Sequence, residues 1–279
     1  MDLGTLLKSH RTLVMGILNI TPDSFSDGGQ YNQINVAIER ALQMKSEGAD
    51  IIDIGGESTR PGASPVPLEE EIKRVIPVVE ALKRNVDIPL SIDTVKPEVA
   101  QLALEAGATL INDISAGGTD ALMAEVIAKH KAWVCLMHMQ GEPRTMQTNP
   151  HYDDVVMEVR EFLSDRASQF IKSGVPSDKI ILDPGIGFGK TVEHNLTLLA
   201  QLDSFISLGF PILVGLSRKT FLGKLTGIDN PAERLLPGIA ANTVSVWNGA
   251  KIVRVHDVKE TVTALKVADA LLRYRKAIC

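Results

Sequence analysis

Residues 88–113 read IPLSIDTVKPEVAQLALEAGATLIND, and the fold is decided there. The apolar run Ile88–Ile92 ends on Asp93. A helical segment follows over Pro97–Ala106, with proline in its first turn and Gly107 just past its end, the usual asymmetry of helix termini. A second apolar run, Thr109–Ile111, then ends on Asn112 and Asp113. The unit is strand, helix, strand, and each strand delivers a polar group where it stops.

The same unit repeats in both directions. Apolar runs rich in Val, Ile and Leu lie at Leu13–Leu18, Asp50–Ile54, Ala132–Met137, Lys179–Leu182, Ile212–Leu216 and Ile252–Val255; with the two above they make eight. They are nearly continuous, as in strands buried on both faces of a parallel sheet. Helical segments are expected between them at Val36–Ser46, Leu68–Lys83, Asp120–Lys129, Tyr152–Ser173, Val192–Ser207, Pro231–Trp247 and Val258–Tyr274. Glu69, Glu70 and Glu71 open the second of these, where the helix dipole favours negative charge. No long linker, charge block or low-complexity stretch divides the chain, so residues 1–279 read as one domain. Eight βα units in one domain close most simply into a (β/α)8 TIM barrel, here with long loops after strands 1 and 2. A doubly wound open sheet is the alternative. Its Gly-rich dinucleotide turn is missing after the first strand, where Met15–Asn19 runs into a polar loop.

Composition narrows the class. Apolar residues make up 44% and charged residues 23%, which excludes a disordered chain. No stretch approaches the roughly 18 uninterrupted apolar residues of a membrane span. A net charge of −5 argues against nucleic acid as a partner but permits a local basic pocket. The two cysteines, Cys135 and Cys279, form neither a zinc spacing nor a disulfide framework. Near the N-terminus Lys8, His10 and Arg11 precede a short run interrupted by Asn19, which is not a signal-peptide pattern. A cytoplasmic location is the expectation.

A barrel of this class works at the C-terminal ends of its strands. Most of those ends carry a carboxylate, an amide or a cation. Strand 1 ends on Asn19, with Asp23 behind it; strand 2 carries Asp53, then Gly55, Gly56, Glu57, Thr59 and Arg60. Strands 3 and 4 end on Asp93 and on Asn112 and Asp113, strand 5 on Met137 and His138. Strand 6 leads into Asp183-Pro-Gly-Ile-Gly-Phe-Gly-Lys190, strand 7 into Ser217, Arg218 and Lys219, and strand 8 into Arg254, His256 and Asp257. Asp93, Asn112 and Asp183 suit a flat heterocycle with an amidine-like edge, because a carboxylate accepts two parallel N–H bonds. Arg218, Lys219, Arg254 and His256 sit on the strands where barrels often bind phosphate. The Gly185–Thr191 turn ends Gly-Lys-Thr but is no ATP-binding loop, since the position five before Gly189 is Pro184. It lets backbone approach a ligand closely, with Phe188 placed to stack and Met137 as a pocket floor. No Cys/His cluster suggests a transition metal; an oxygen-rich rim beside a phosphate site suits Mg²⁺.

Together these motifs resemble the dihydropteroate synthase family of the folate pathway. The resemblance rests on Met15–Gly29 (MGILNITPDSFSDGG), Ile52–Gly62 (IDIGGESTRPG), Leu182–Lys190 (LDPGIGFGK), Gly215–Lys219 (GLSRK) and Arg254–His256 (RVH), in order on successive strand ends. It runs from about Leu13 to Leu272. It implies condensation of 6-hydroxymethyl-7,8-dihydropterin pyrophosphate with p-aminobenzoate, a transferase reaction without a protein nucleophile. It implies Lys219, Asp93, Arg254 and His256 as catalytic groups. The pterin would be held by Asp93, Asn112, Asp183, Lys219, Met137 and Phe188, and the pyrophosphate by Asn19, Arg254, His256 and Thr59, with Asn19 as the Mg²⁺ ligand. The p-aminobenzoate pocket would take Phe25, Thr59, Arg60, Pro61, Phe188, Ser217 and Lys219. A homodimer through the last helices is implied too. A methyltetrahydrofolate-binding methyltransferase barrel would share the pterin-binding groups but not need the cations of strands 7 and 8; a non-catalytic pterin-binding paralogue would be expected to lack a site residue. One run departs from the family: after Glu233-Arg-Leu235, Pro237-Gly-Ile239 stands where a small hydroxyl residue follows a glycine.

Overall fold

The computed structural model describes residues 2–20, 30–58, 64–118, 121–141 and 144–278; side chains 30–33 and 276–278 are left aside. Eight strands alternate with helices: β1 Leu13–Asn19, β2 Ile51–Gly55, β3 Leu90–Asp93, β4 Leu110–Asp113, β5 Trp133–Met137, β6 Ile180–Asp183, β7 Leu213–Gly215 and β8 Ile252–Val255. They form one parallel sheet in the order β6-β5-β4-β3-β2-β1-β8-β7. A parallel bridge between Leu182 and Ile212 closes β6 on β7, with the Leu182 N–H donating to the Pro211 carbonyl at 3.0 Å. The sheet is therefore a (β/α)8 barrel, as the repeated unit predicts.

The helices are α1 Leu3–Leu7, α2 Gln30–Glu47, α3 Leu68–Asn85, α4 Pro97–Ala106, α5 Leu122–His130, α6 Val155–Lys172, α7 Val192–Ala200, α8 Thr220–Thr226, α9 Leu235–Trp247 and α10 Val258–Ile278. Helix α2 starts six residues before the expected Val36, α8 is not among the expected segments, and the segment from Pro231 is a 3-10 turn before α9. Two further differences have a local cause. The segment from Tyr152 becomes helical only at Val155, because the Asp154 carboxylate caps it, accepting from the Val156 and Met157 N–H groups at 3.0 Å. The segment from Val192 stops at Ala200 and continues as a 3-10 turn over Leu202–Leu208.

Each strand separates two cores. Outward residues such as Val14, Ile52, Ile54, Ile92, Ile111, Val134 and Val253 pack against the helix ring. Inward residues Leu13, Met15, Ile51, Leu110, Cys135, Ile181, Leu213 and Ile252 fill the barrel floor. Helix α1, which the sequence reading passes over, plugs that floor with Leu3 and Leu6, and the Asp2 carboxylate caps it through the Thr5 N–H at 3.0 Å. The strands extend further than the apolar runs: β3, β4 and β6 include Asp93, Asn112, Asp113 and Asp183. Pairing of Gly55 with Asp93, Asp93 with Asn112, and Met137 with Asp183 continues the ladder through these polar residues. Their side-chain directions are thereby set by the two-residue repeat of the strand.

Candidate active site

Moving two residues up a strand keeps the inward direction but changes the chemistry. Ile51 leads to Asp53, Leu110 to Asn112, Ile181 to Asp183 and Ile252 to Arg254. Arg254 on β8 reaches across β1 to β2 and β3, a span only the barrel mouth allows. Its Nε donates to Asp53 Oδ2 at 2.6 Å and one Nη to Asp93 Oδ2 at 2.7 Å. Asn112 Nδ2 donates to the same Asp53 oxygen at 3.2 Å. Two carboxylates thus share one guanidinium in a buried site. Asp53 Oδ1 and Asp93 Oδ1 are buried without a hydrogen-bond partner. Burial pushes the Asp93 carboxyl up to about 7, against the pull of Arg254 and with the repulsion of Asp53 adding to the rise. Asp53 is the residue that reading strand ends alone leaves without a role. Its signal is parity: it lies two residues after the floor residue Ile51.

Opposite this cluster, Asp183 accepts the Gly185 N–H at 2.7 Å. Burial raises its carboxyl above the ordinary range, with Lys219 as the main opposing charge. Lys219 starts α8 beyond a strained turn: Arg218 has φ +60°, a left-handed conformation uncommon outside glycine. The turn is tied down on both sides. Arg218 pairs with Asp257 at 2.6 and 3.2 Å, and its carbonyl accepts from Arg234 Nη1 at 3.0 Å. The Lys219 Nζ so placed donates to the Ile186 carbonyl and lies 4.4 Å from the centre of the Phe188 ring. Burial lowers Lys219 to about 8, with Asp183 resisting, so the ammonium prevails at pH 7.

The remaining expected groups follow the same geometry. Met137 is buried at the end of β5, in register with Asp183. The Ser217 hydroxyl sits 3.0 Å from His256 Nδ1 and accepts the His256 N–H at 3.2 Å, joining the ends of β7 and β8. Asn19 ends β1 opposite Gly55, where an added Cβ would stand 3.6 Å from its Oδ1. Asp93, Asn112, Asp183, Lys219, Arg254, Met137, Phe188, Ser217, His256 and Asn19 therefore gather on one end of the barrel. Phe25, Thr59, Arg60 and Pro61, with Asp23, lie outside the described residues. The departing Ile239 is on α9, beside a cavity of about 10 Å³ that it shares with Ser217, Asn242 and Asp257. That is room for about one water beside Ser217.

A second polar cluster lies just behind the mouth and has no role in the sequence reading. Lys96 Nζ donates to both Glu57 and Glu71, and the other Glu57 oxygen accepts the Val66 N–H at 3.2 Å. Glu71 is fully buried. The cluster holds the stem of the loop after β2 against the start of α4.

Comparison with known proteins agrees with this geometry. A family model described as "Pterin binding enzyme" matches residues 15–256. The dihydropteroate synthase of Synechocystis is 52% identical over 263 residues, covering 94% of this chain and 91% of the relative. That of Escherichia coli is 48% identical over 269 residues, covering 96% and 95%. Among solved structures, Xanthomonas albilineans dihydropteroate synthase with 4-aminobenzoic acid superposes with a TM-score of 0.89 at 47% identity, covering 95% of this chain and 94% of that one. The same enzyme in complex with 7,8-dihydropteroate gives 0.85 at 43% identity, covering 95% of each chain. Likeness of this extent, spread over the whole barrel, is that of a family member: the chain belongs to the dihydropteroate synthase family of pterin-binding enzymes.

Proposed function

We propose that this chain condenses 6-hydroxymethyl-7,8-dihydropterin pyrophosphate with p-aminobenzoate, releasing 7,8-dihydropteroate and pyrophosphate. The observation that carries the reading is one mouth holding buried carboxylates and half-buried cations together, Asp93 and Asp183 with Arg254 and Lys219. Asp93 Oδ1 is a buried acceptor without a partner, which a ring N–H would satisfy. Asp183 and Asn112 take the rest of the ring's polar edge, over Met137 and beside Phe188.

In the reaction the bond from the pterin methylene carbon to the pyrophosphate oxygen breaks, and its electron pair leaves with pyrophosphate. The methylene cation is delocalised into the electron-rich ring. Arg254, Lys219 and His256 offset the departing negative charge, which is the main electrostatic task of the site. The arylamine nitrogen then attacks the methylene carbon with its lone pair and loses a proton. That nitrogen is weakly basic, so no strong general base is required. Ser217, Lys219 and Phe188 receive the arylamine, with Phe25, Thr59, Arg60 and Pro61 from the first two loops; Asn19 and Thr59 complete the pyrophosphate site.

Among the described residues no group of three or more His, Cys, Asp or Glu side chains stands ready to cage a metal. Mg²⁺ needs none, since it keeps several waters and takes one or two protein oxygens beside substrate phosphates. Asn19 supplies such an oxygen, and the ion would neutralise leaving-group charge. The chain acts in the cytoplasm as a homodimer in this reading. Support for the dimer is an apolar face on α9 and α10: Leu236, Val244, Trp247, Val267, Leu271 and Tyr274 are all exposed, and the two helices pack on each other. Light scattering after gel filtration would read twice the 30.2 kDa chain mass for a dimer, and a monomer would refute it.

The function is tested by pyrophosphate release from purified protein given both substrates and Mg²⁺, with each component omitted in turn. Release coupled to dihydropteroate and dependent on all three is expected. Pterin binding without product would leave a binding barrel instead.

A further inference from the structure

The glycine-rich turn after β6 ends in a lysine that the reaction does not use. Lys190 is only 3% exposed, although lysine ordinarily keeps its ammonium in water. Its Nζ lies 2.9 Å from His138 Nδ1 and 3.0 Å from both the Gly185 and the Phe188 carbonyl oxygens. The His138 carbonyl oxygen lies at 3.4 Å. The amine donates to the Gly185 and Phe188 carbonyls in either protonation state, and its contact with His138 Nδ1 runs in the direction the imidazole tautomer sets. Burial holds the Lys190 amine well below the ordinary lysine range, with Asp183 pulling the other way. Burial also pushes the His138 ring down to about 3, with Lys190 adding to the fall, so the ring is neutral.

The turn itself has every carbonyl engaged over five residues. Ile186 O accepts from Lys219, Gly187 O from Gln147 Nε2 at 2.6 Å, and Gly189 O from the Tyr152 hydroxyl at 2.9 Å. Lys190 serves the first and fourth, Gly185 and Phe188. Those two bracket the groups that meet the site, the Ile186 carbonyl and the Phe188 ring, both against Lys219. The turn also lies hard against the end of β5: at Gly185, φ +67°, an added Cβ would stand 1.8 Å from the His138 carbonyl oxygen. Lys190 is thus the bolt between His138 and the backbone that carries Phe188.

We infer that Lys190 is a positioning residue: by clamping the β6–α7 turn to His138 it sets where Phe188 and the Ile186 carbonyl meet the Lys219 ammonium. The inference rests on Lys219 and Phe188 forming the substrate mouth. It assigns a part in the reaction to a side chain that touches neither substrate.

The test is steady-state kinetics on Lys190→Met, on Phe188→Leu and on the double variant, with thermal melts followed by circular dichroism. Misplacing a binding group by about 1 Å can cost about a hundredfold, so Lys190→Met should lower kcat/KM by about ten- to a hundredfold while still folded. Within the Phe188→Leu background the same change should cost less than about threefold, because coupled residues are non-additive. Wild-type kcat/KM in folded Lys190→Met, or full additivity with Phe188→Leu, would overturn the inference. Should Lys190→Met not fold, His138→Ala removes the ring nitrogen that ties Nζ to β5. It should lower kcat/KM in the same non-additive way, and an unchanged value would again overturn the inference. Lys219→Ala separates the two levels. If it retains full activity, the reading of the mouth is wrong; if it is inactive while Lys190→Met matches wild type, only the role of Lys190 is wrong.

Discussion

Two residues separate the sealed end of this barrel from its reactive end. On β2, β4, β6 and β8 the inward pairs are Ile51 and Asp53, Leu110 and Asn112, Ile181 and Asp183, and Ile252 and Arg254. At the sealed end the inward side chains are apolar and close-packed, and α1 covers them. At the mouth the same backbone direction presents carboxylates, an amide and a guanidinium, and leaves Asp53 Oδ1 and Asp93 Oδ1 unsatisfied. One layer stabilises the fold and the next one up gives some of that stability away for binding. The strand repeat makes the division sharp, since every second residue faces the same interior.

That division can be broken experimentally. The largest effect is expected at Arg254→Ala, which removes a cation from the departing charge and strands two buried carboxylates. Loss of one electrostatic stabiliser should lower kcat/KM by about 10²–10³. Stability should fall by about 3–5 kcal/mol, as when one partner of a buried ion pair is deleted. The stability loss has a sign with pH. Unpaired Asp93, held up to about 7, is costly only when ionised, so the melting temperature should fall less at pH 5 than at pH 8. A lower melting point with kcat/KM within tenfold of wild type would make Arg254 a structural ion pair only.

Ile181→Ala probes the floor. A buried Ile cut to Ala costs about 2–5 kcal/mol. Denaturant unfolding should show that loss while KM for both substrates stays at its wild-type value below the melting transition. A rise in KM matching the lost stability would mean the two layers are not separable. Asp183→Asn should act oppositely. Loss of a charged acceptor should weaken pterin pyrophosphate binding by about ten- to thirtyfold in calorimetry, with little change in unfolding. Unchanged affinity would remove Asp183 from the pterin site.

The smallest expected effect sharpens the mouth itself. Asp93 is held up to about 7 by burial, and Asp53 adds to the rise. If the ionised carboxylate binds the ring, kcat/KM falls on the acid side of about pH 7. Asp53→Asn removes a neighbouring negative charge and frees Arg254 for Asp93, so the acid limb should move to lower pH. A limb that stays put or moves upward in the pH–rate profile would assign it to another group.

Much of this was legible in the chain. The proline and glycine bracketing Pro97–Ala106 mark a helix whose bounds the structure reproduces. The strand-end residues Asp93, Asn112, Asp183 and Arg254 do face one mouth. Three features were not legible. Helix α1 is a single short turn whose stability comes from plugging the barrel. Asp53 looks like one more residue of an apolar run until the parity of β2 is known. Lys190 sits in a motif that suggests phosphate binding, yet its partners are a histidine ring nitrogen and three carbonyls inside the protein.

The eight βα units, their punctuation, their family and the polar character of the strand ends were readable in the chain, because those depend on local periodicity and on residues close together in it. The tertiary structure alone decided which groups meet. Arg254 finds Asp53 and Asp93 across 201 and 161 residues, Lys190 finds His138 across 52, and β6 meets β7 through a single bridge. Those meetings follow from strand register and from closure of the sheet, which exist only once all eight units have assembled. The physical reason is that a local pattern sets the inward direction of a side chain, while the identity of its neighbour across the barrel is a property of the closed ring.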